Sequence, residues 1–246
     1  MEKHLLKRKY NSIFKTDFGF VTISFLLLGI IRLIGLTTGA EYIVVLGFLI
    51  MWILPVIFIK NEKRGKIGIK KPESWLWVFL SFVIGIFGSI LIYYIGYLLY
   101  GTGAENWVMT VVSDYMADGE ALIPGVFAVV TFMMMLFSPI GEELYFRGII
   151  QEVLQERTSS YGRGAFWSSL LFAIIHIPHH GLVFSRTGFV NILLPILLWT
   201  IIMFLFSLMF LYARKKSGSV LGAIVCHSGY ILGMNLFIYF FLLERL

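Results

Sequence analysis

Five ionisable side chains lie within long apolar stretches of this sequence, where a charged group is costly. They are Glu142, Glu143, Arg147, His176 and His227. A charged side chain at the centre of a membrane-spanning helix costs about 2.5–3.5 kcal/mol on insertion scales. Residues this costly usually face the interior of a helix bundle and mark a functional site. We therefore expect these five residues to form a polar site inside the hydrocarbon region.

The spacing of the acidic pair indicates which chemistry such a site could perform. Glu143 and Arg147 are four residues apart with the acid first, so they can pair along one helix face. Glu142 lies about 100° around the helix and need not share that bridge. Two adjacent carboxylates in a low dielectric resist ionising together. One of them is thereby suited to act as a general base, while Arg147 keeps the other charged.

The backbone beside these glutamates allows two interpretations. In the first, Ser138 caps a new helix and Pro139 takes its first position, so the glutamates lie in a first turn where the helix dipole favours negative charge. In the second, Pro139 kinks a continuous helix. Either interruption is tolerated at membrane depth where the chain is buried in protein or lines a cavity.

The composition predicts a polytopic membrane protein. Of the 246 residues, 59% are hydrophobic and 14% are charged, which excludes a soluble enzyme and a disordered chain. The single cysteine, Cys226, excludes an internal disulfide. We predict an all-α bundle of about seven to eight transmembrane helices. The apolar stretches are Phe18–Leu36, Tyr42–Ile59, Trp75–Tyr100, Leu122–Ile150, Ala165–Ile177, Phe189–Tyr212 and Val220–Leu243.

Positive charge is concentrated in alternate loops between the predicted spans. The segments before span one and after spans two, four and six are basic, and this bias predicts a cytoplasmic N-terminus. The net charge of +6 then serves contacts with membrane lipids, and we predict no nucleic-acid partner. We expect a basic cytoplasmic leader at residues 1–17 and one transmembrane domain at residues 18–246. The loop after span three is acidic, with Glu105, Asp114, Asp118 and Glu120.

Helix geometry allows the polar residues of three spans to meet. At a rise of about 1.5 Å per residue, His176 lies about 16 Å from the cytoplasmic end of its span, His227 about 10 Å and Glu142 about 12 Å. These residues could therefore share one layer between the cytoplasmic leaflet and the bilayer midplane. The small residues Gly229 and Gly233 are expected to allow close helix packing, which would set His227 near span four.

Three other polar residues are expected at the membrane interface. Arg32 is near the outer end of span one, and its long side chain is expected to extend to the headgroup region. His179 and His180 follow Pro178 near the outer end of span five, and we expect the same environment for them.

Three motifs resemble those of the CAAX prenyl protease and bacteriocin-processing family of intramembrane proteases. The segment Glu142–Arg147 resembles the EExxxR motif, and Phe172–His176 resembles the FxxxH motif. The stretch Ser207–His227 resembles the two helices and basic turn that lead to the last histidine of the family. The similarity covers about residues 127–235, with the motifs in family order. One position departs, because Ile231 stands where the family has Asn or Asp, and Asn235 is the candidate substitute.

The resemblance implies a peptidase site with defined roles. Glu142 would take a proton from water that His176 helps to hold, and Glu143 and Arg147 would support the site. His227, aided by Asn235, would donate a hydrogen bond to the oxyanion. The family is interpreted in two ways, which stay open here: glutamate alone activates water, or Glu142, His176 and His227 bind a divalent metal such as zinc. The expected substrate is a hydrophobic or lipid-modified peptide.

Two other classes of function are open at the level of sequence. Intramembrane Glu and His residues also build proton relays, so a proton- or ion-coupled transporter is one alternative. Transporters often contain internal repeats, and the sequence has none that we can detect. A non-catalytic bacteriocin-immunity or binding protein is the other alternative.

Overall fold

The computed structural model describes residues 4–103, 105–112, 115–117, 120–180, 184–185, 188–189 and 193–245. Some expectations fall outside the described residues: Asp114, Asp118, residues 190–192 of the sixth predicted span and the side chain of His180. Most of the described chain is helical, which confirms the prediction of an all-α bundle.

The predicted apolar stretches are helical over most of their described residues, except that Phe189 of the sixth lies in a strand and the helix there begins at Leu193. The α-helices are α1 (Asn11–Phe14), α2 (Asp17–Thr38), α3 (Glu41–Phe58), α4 (Trp75–Tyr100), α5 (Met109–Val112), α6 (Pro124–Glu142), α7 (Gln151–Thr158), α8 (Tyr161–Ile175), α9 (Ile177–His180), α10 (Leu193–Ser217) and α11 (Val220–Phe237). Short 3-10 turns occupy Arg8–Tyr10, Asn61–Lys63 and Leu243–Arg245, and π-helical segments occupy Glu143–Ile150 and Ile238–Leu242. Two antiparallel strand pairs lie in loops: β1 (Met116–Ala117) with β2 (Glu120–Ala121), and β3 (Phe184–Ser185) with β4 (Gly188–Phe189).

Not every one of these helices has the length of a full membrane span. Within the described residues, five segments are long and apolar enough to cross a membrane, and α3 contributes the shorter apolar helix Tyr42–Phe58. Helix α8 has 15 residues, about 22 Å of rise, which is less than the hydrocarbon thickness. The five long segments are Asp17–Thr38, Trp75–Tyr100, Pro124–Thr158, Leu193–Ser217 and Val220–Arg245.

The helix that carries the glutamates runs through Pro139 without a break. Helix α6, the π-helical segment and α7 follow one another from Pro124 to Thr158. Because proline has no N–H, the carbonyl of Met135, four residues earlier, lacks its helical partner. The hydroxyl of Ser228 in α11 donates to that carbonyl at 2.8 Å. A neighbouring helix thus satisfies the freed backbone group, and the interpretation of a new helix that begins at Pro139 is wrong.

Helices α4 and α11 approach each other closely because glycine lines their contact. A Cβ atom on Gly229 would overlap the carbonyl oxygen of Phe82, and one on Gly233 would overlap that of Ile86. The expected close packing at this glycine pair is therefore confirmed, but the partner is α4, the third span, rather than the fourth.

The start of α11 is fixed to the loop that follows α3. Ser219 caps the helix by accepting from the N–H of Leu221, and its hydroxyl donates to the carbonyl of Lys70 at 2.7 Å. The N–H of Val220 donates to the carbonyl of Gly68 at 2.9 Å. These bonds set the height of α11 in the bundle, and with it the height of His227.

The residues before α2 pack onto the same face of the bundle. Leu5 and Leu6 are buried, and both backbone N–H groups donate to the carboxylate of Asp17. The N–H of Lys60 donates to the carbonyl of Leu5 at 3.0 Å. The segment that the sequence marks as a basic leader is therefore bound to the helices in its described part.

Candidate active site

Glu143 joins the central helix to α11 through two contacts. Its Oε2 atom is 2.9 Å from Nε of Arg147, which lies four residues later. Its Oε1 atom accepts a 2.8 Å hydrogen bond from Nδ1 of His227. The side chains of Glu143 and Arg147 have no exposed surface, so the pair is fully removed from solvent. The expected pairing of Glu143 with Arg147 is present, and His227 completes it from a second helix.

Aromatic rings enclose the charge of Arg147. Its guanidinium carbon lies 4.0 Å from the ring centre of Phe172 and 5.0 Å from that of Phe210. The ring of His227 stacks on Phe210, with 4.6 Å between centres and 14° between planes. A cation over an aromatic face is stabilised by the ring quadrupole, and most strongly in a desolvated site. The aromatic side chains therefore hold Arg147 and His227 in fixed positions beside Glu143.

Glu142 contacts a different set of side chains from its neighbour. Its Oε1 atom accepts a 2.6 Å hydrogen bond from a terminal nitrogen of Arg32 in α2. Its Oε2 atom is 3.7 Å from Nε2 of His176 and has no hydrogen-bond partner among the described residues. That distance is too long for a direct hydrogen bond, and it is short enough for one water molecule beside the two atoms to contact both of them.

The ring of His176 has a defined orientation at the end of α8. Its Nδ1 atom is 2.7 Å from the carbonyl oxygen of Phe172, which can only accept, so Nδ1 carries the hydrogen. In the neutral ring, Nε2 therefore presents a lone pair towards Glu142. The indole N–H of Trp199 in α10 donates to the backbone carbonyl of His176 at 3.0 Å and holds the helix end in place.

The π-helical segment Glu143–Ile150 carries both Glu143 and Arg147. Its i→i+5 bonding is uncommon and occurs frequently at functional sites. The N–H of Glu143 is bonded to carbonyls of the preceding turn, at Pro139 and Ile140. The glutamates therefore lie inside a helix, and the expected stabilisation by a helix N-terminus is wrong.

The helix that carries the site extends beyond the predicted apolar stretch. Glu142 precedes Thr158, the last residue of α7, by 16 residues, which corresponds to about 24 Å of helix. The estimate of about 12 Å refers to the end of the apolar stretch at Ile150, and the polar helix α7 follows that limit.

Sequence reasoning missed two residues of this site, Arg32 and His179. The side chain of Arg32 is 7% exposed and donates to Glu142, so it does not extend to the membrane interface. His179, at the end of the short helix α9, accepts from Nε of Arg32 at 2.9 Å. The cost of a charge within a span, which identified the other residues, also applied to Arg32. Its position near the end of the predicted span led to the wrong expectation.

Comparison with known proteins supports what this geometry indicates. Residues 124–232 match the family model described as type II CAAX prenyl endopeptidase Rce1-like, and this range contains Glu142, Glu143, Arg147, His176 and His227. A protein of Bacillus subtilis (strain 168) named "Putative membrane peptidase YdiL" is 29% identical over 173 residues, which is 70% of this chain and 59% of the relative. Both matches support the resemblance to the CAAX prenyl protease and bacteriocin-processing family that the motifs indicate. No solved structure matches this chain.

The family whose model matches is a protease family, and this chain is an integral membrane protein. The matched region begins at α6, so α2, α3 and α4 lie outside the family model. Arg32 in α2 therefore contacts Glu142 of the family motif from outside the residues that match the family model. The alignment spans 59% of the length of the Bacillus relative.

The position where the CAAX prenyl protease family has Asn or Asp is apolar here, and Asn235, the candidate substitute, makes no hydrogen bond to another described residue. Ile231 is buried, one turn after His227. Asn235 is fully buried two turns after His227, about 12 Å along the helix. Its amide makes no hydrogen bond among the described residues. The structure thus brings five of the predicted site residues together and leaves Asn235 apart from them.

The residues do not fit the expected metal site. The described residues contain no group of three His, Cys, Asp or Glu side chains that could hold a metal ion. Glu142 and His176 are close to each other, but His227 binds Glu143 instead. Arg32 and Arg147 already balance the charges of the two glutamates. Little negative charge is left to offset the cost of dehydrating a divalent cation, so the side chains favour chemistry without a metal.

Proposed function

We propose that this chain is an intramembrane endopeptidase in which Glu142 activates a water molecule. The observation that carries the proposal is the geometry of the Glu142 carboxylate. Oε1 is held by Arg32 at 2.6 Å, and Oε2 faces Nε2 of His176 at 3.7 Å. A general base needs a free acceptor atom within reach of the proton that it removes, and Oε2 is such an atom.

Water held between Glu142 and His176 would donate one hydrogen to each of them. Glu142 takes the proton as the water oxygen attacks the peptide carbonyl carbon, and a tetrahedral oxyanion forms. Glu142 then passes the proton to the amine that leaves. Glu143 accepts a hydrogen bond from Nδ1 of His227 and so fixes the orientation of that ring. When the ring carries a hydrogen on both nitrogens, Nε2 of His227 can donate a hydrogen bond to the oxyanion.

The proposed substrate is a peptide with a hydrophobic segment or a lipid-modified end. The site is enclosed by apolar helices, so an extended peptide reaches it most readily from the bilayer. The matching family model is described as a CAAX prenyl endopeptidase, and a prenyl chain would supply this apolar character. We further propose that the N-terminus is cytoplasmic, because the basic loops alternate along the chain.

Cleavage assays on the purified full-length chain in lipid nanodiscs test the proposal. The substrates are a prenylated peptide, an unmodified copy and a transmembrane peptide. Glu142→Gln keeps the size of the side chain but removes the base, so we expect the rate, measured at a temperature where the variant is folded, to fall by about 10²–10⁴-fold. A chelator is expected to leave the wild-type rate unchanged.

Glu156→Gln is the matched control for this experiment. Glu156 lies further along the same helix, in α7, and pairs with Lys66 on the surface. This substitution removes the same charge where it contributes about 0–1 kcal/mol, so the cleavage rate is expected to stay at the wild-type level. Cleavage by Glu142→Gln at the rate of Glu156→Gln would contradict the proposal.

A further inference from the structure

Arg32 belongs to the site by contact, although it lies outside the family motifs. Its side chain is 7% exposed, and that of Glu142 has no exposed surface. The 2.6 Å bond between them is therefore a buried, charge-assisted contact. Removal of one partner from such a pair leaves an uncompensated charge in a low dielectric, which is strongly destabilising. The two residues should therefore depend on each other energetically.

His179 fixes the other edge of the same guanidinium. Its Nε2 atom is 2.9 Å from Nε and 2.5 Å from a terminal nitrogen of Arg32. Arginine nitrogens can only donate, so Nε2 of His179 accepts and the ring is held as the tautomer with its hydrogen on Nδ1. The rings of His176 and His179 stack at 5.6 Å between centres, and the N–H of His179 donates to the carbonyl of His176 at 3.1 Å.

These contacts form a closed circuit around Glu142. Arg32 binds Oε1 of Glu142, and His179 binds Arg32. His179 stacks on His176, and His176 faces Oε2 of Glu142. A carboxylate held at one oxygen cannot turn about its terminal torsion, which is otherwise broad. The other oxygen is thereby kept towards His176.

We propose that Arg32, oriented by His179, is a positioning residue that holds one oxygen of Glu142 so that the other faces His176. The catalytic consequence rests on the proposed peptidase function, whereas the structural coupling does not. Arg32 thus supplies a polar contact to the site, whereas Ile231 is apolar and Asn235 makes no hydrogen bond among the described residues. Helix α2 thus completes a site whose motifs all lie between α6 and α11.

The first experiment measures the coupling without reference to activity. Thermal unfolding of the full chain in detergent is compared for wild type, Arg32→Met, Glu142→Gln and the double variant. We expect Arg32→Met to lower the midpoint by about 5–10 °C in the wild-type background and by less than about 2 °C beside Glu142→Gln. Arg163→Met removes an exposed arginine of α8 and is the control. It is expected to leave the unfolding midpoint unchanged in both backgrounds. Equal losses from Arg32→Met in both backgrounds would overturn the proposal.

The second experiment measures kcat and KM on the peptides that the wild type cleaves. Arg32→Met is expected to lower kcat by about 100-fold and to change KM by less than about 2-fold, because it displaces the base and not the substrate. Arg32→Lys keeps the positive charge but lacks the planar guanidinium that can bind Glu142 and His179 together. Its kcat is therefore expected to be about 10-fold higher than that of Arg32→Met. His179→Gln, which retains an acceptor, should lose less kcat than His179→Leu.

The outcomes separate this proposal from the proposed function. Two results would overturn the positioning role. One is a rise in KM with unchanged kcat in Arg32→Met, and the other is equal kcat values for Arg32→Lys and Arg32→Met. If the wild type cleaves none of the peptides, the peptidase proposal fails, and the unfolding cycle still decides whether Arg32 and Glu142 form a coupled pair.

Discussion

Glu142 and Glu143 are adjacent in the chain, but their side chains point to different partners. Glu143 has one oxygen hydrogen-bonded to His227 and the other in a 2.9 Å ion pair with Arg147, and both contacts are buried. Glu142 has one oxygen engaged by Arg32 and one that faces His176. A carboxylate with both oxygens occupied serves to orient its partners, and one with a free oxygen can accept a proton. The contacts therefore indicate that Glu143 orients Arg147 and His227, whereas Glu142 can accept a proton.

Substitution of Arg147 tests this division at the level of single residues. Arg147→Met leaves Glu143 without its cation, and we expect a loss of about 3–5 kcal/mol of stability. Arg147→Lys keeps the charge but loses the planar contact with Phe172 and Phe210, so a smaller loss of about 1–2 kcal/mol is expected. Thermal unfolding in detergent measures both variants. Equal losses would show that ring packing, rather than charge, accounts for the role of Arg147.

The elements that carry these residues are held by backbone contacts that apolar patterns do not reveal. Pro139 is accommodated because Ser228 of α11 satisfies the carbonyl of Met135. The N-terminus of α11 is fixed by Ser219 on the carbonyl of Lys70. Glycines let α11 lie directly against α4. Three separate contacts of α11 thus determine the position of His227, in addition to the hydrogen bond between its imidazole and Glu143.

A methyl group at Gly233 should disturb this helix contact. Gly233→Ala would place Cβ against the backbone of Ile86, so α4 and α11 must separate, at a cost of about 1–3 kcal/mol. Because α11 carries His227, the cleavage rate should fall with stability. Gly29→Ala in α2 is the control, since a Cβ at Gly29 meets no atom within 4 Å. A neutral result at Gly233 would contradict direct backbone packing in the membrane.

For the molecule as a whole, the charge distribution sets the expected orientation. The loop between α3 and α4 contains Lys63, Arg64, Lys66, Lys70 and Lys71, whereas the loop after α4 contains acidic residues such as Glu105. The first loop also binds the basic N-terminal segment, where the N–H of Lys60 donates to the carbonyl of Leu5. The leader and this loop therefore lie on one face, as the positive-inside bias requires for a common cytoplasmic side.

Cysteine labelling in intact cells tests the orientation. In a Cys226→Ala background, single cysteines replace the exposed residues Lys71 and Glu105. A membrane-impermeant maleimide should label Glu105→Cys in intact cells and Lys71→Cys only after lysis. The native Cys226 is buried and has to be removed so that any labelling reports the new positions alone. Labelling of Lys71→Cys in intact cells would place the basic loops on the outside.

The pattern of the sequence was sufficient for the class of fold and for most of the site. Apolar runs long enough to span a bilayer can satisfy their backbone only as helices, so an all-α bundle follows from composition. Charged groups are costly in lipid, so ionisable residues within apolar spans mark a candidate site. This criterion selected Glu142, Glu143, Arg147, His176 and His227. The Glu143–Arg147 pair also follows from sequence, because four-residue spacing on one helix is a local property.

Tertiary structure alone decided which partner each of these groups has. His227 could have faced either glutamate, and it binds Glu143 because the start of α11 is fixed by the loop before α4. Arg32 looked interfacial, since a long side chain near a helix end can reach either water or protein. It turns inward because α2 packs where Glu142 and His179 can bind it. Contacts between distant segments depend on helix height and rotation, which no local spacing in the chain determines.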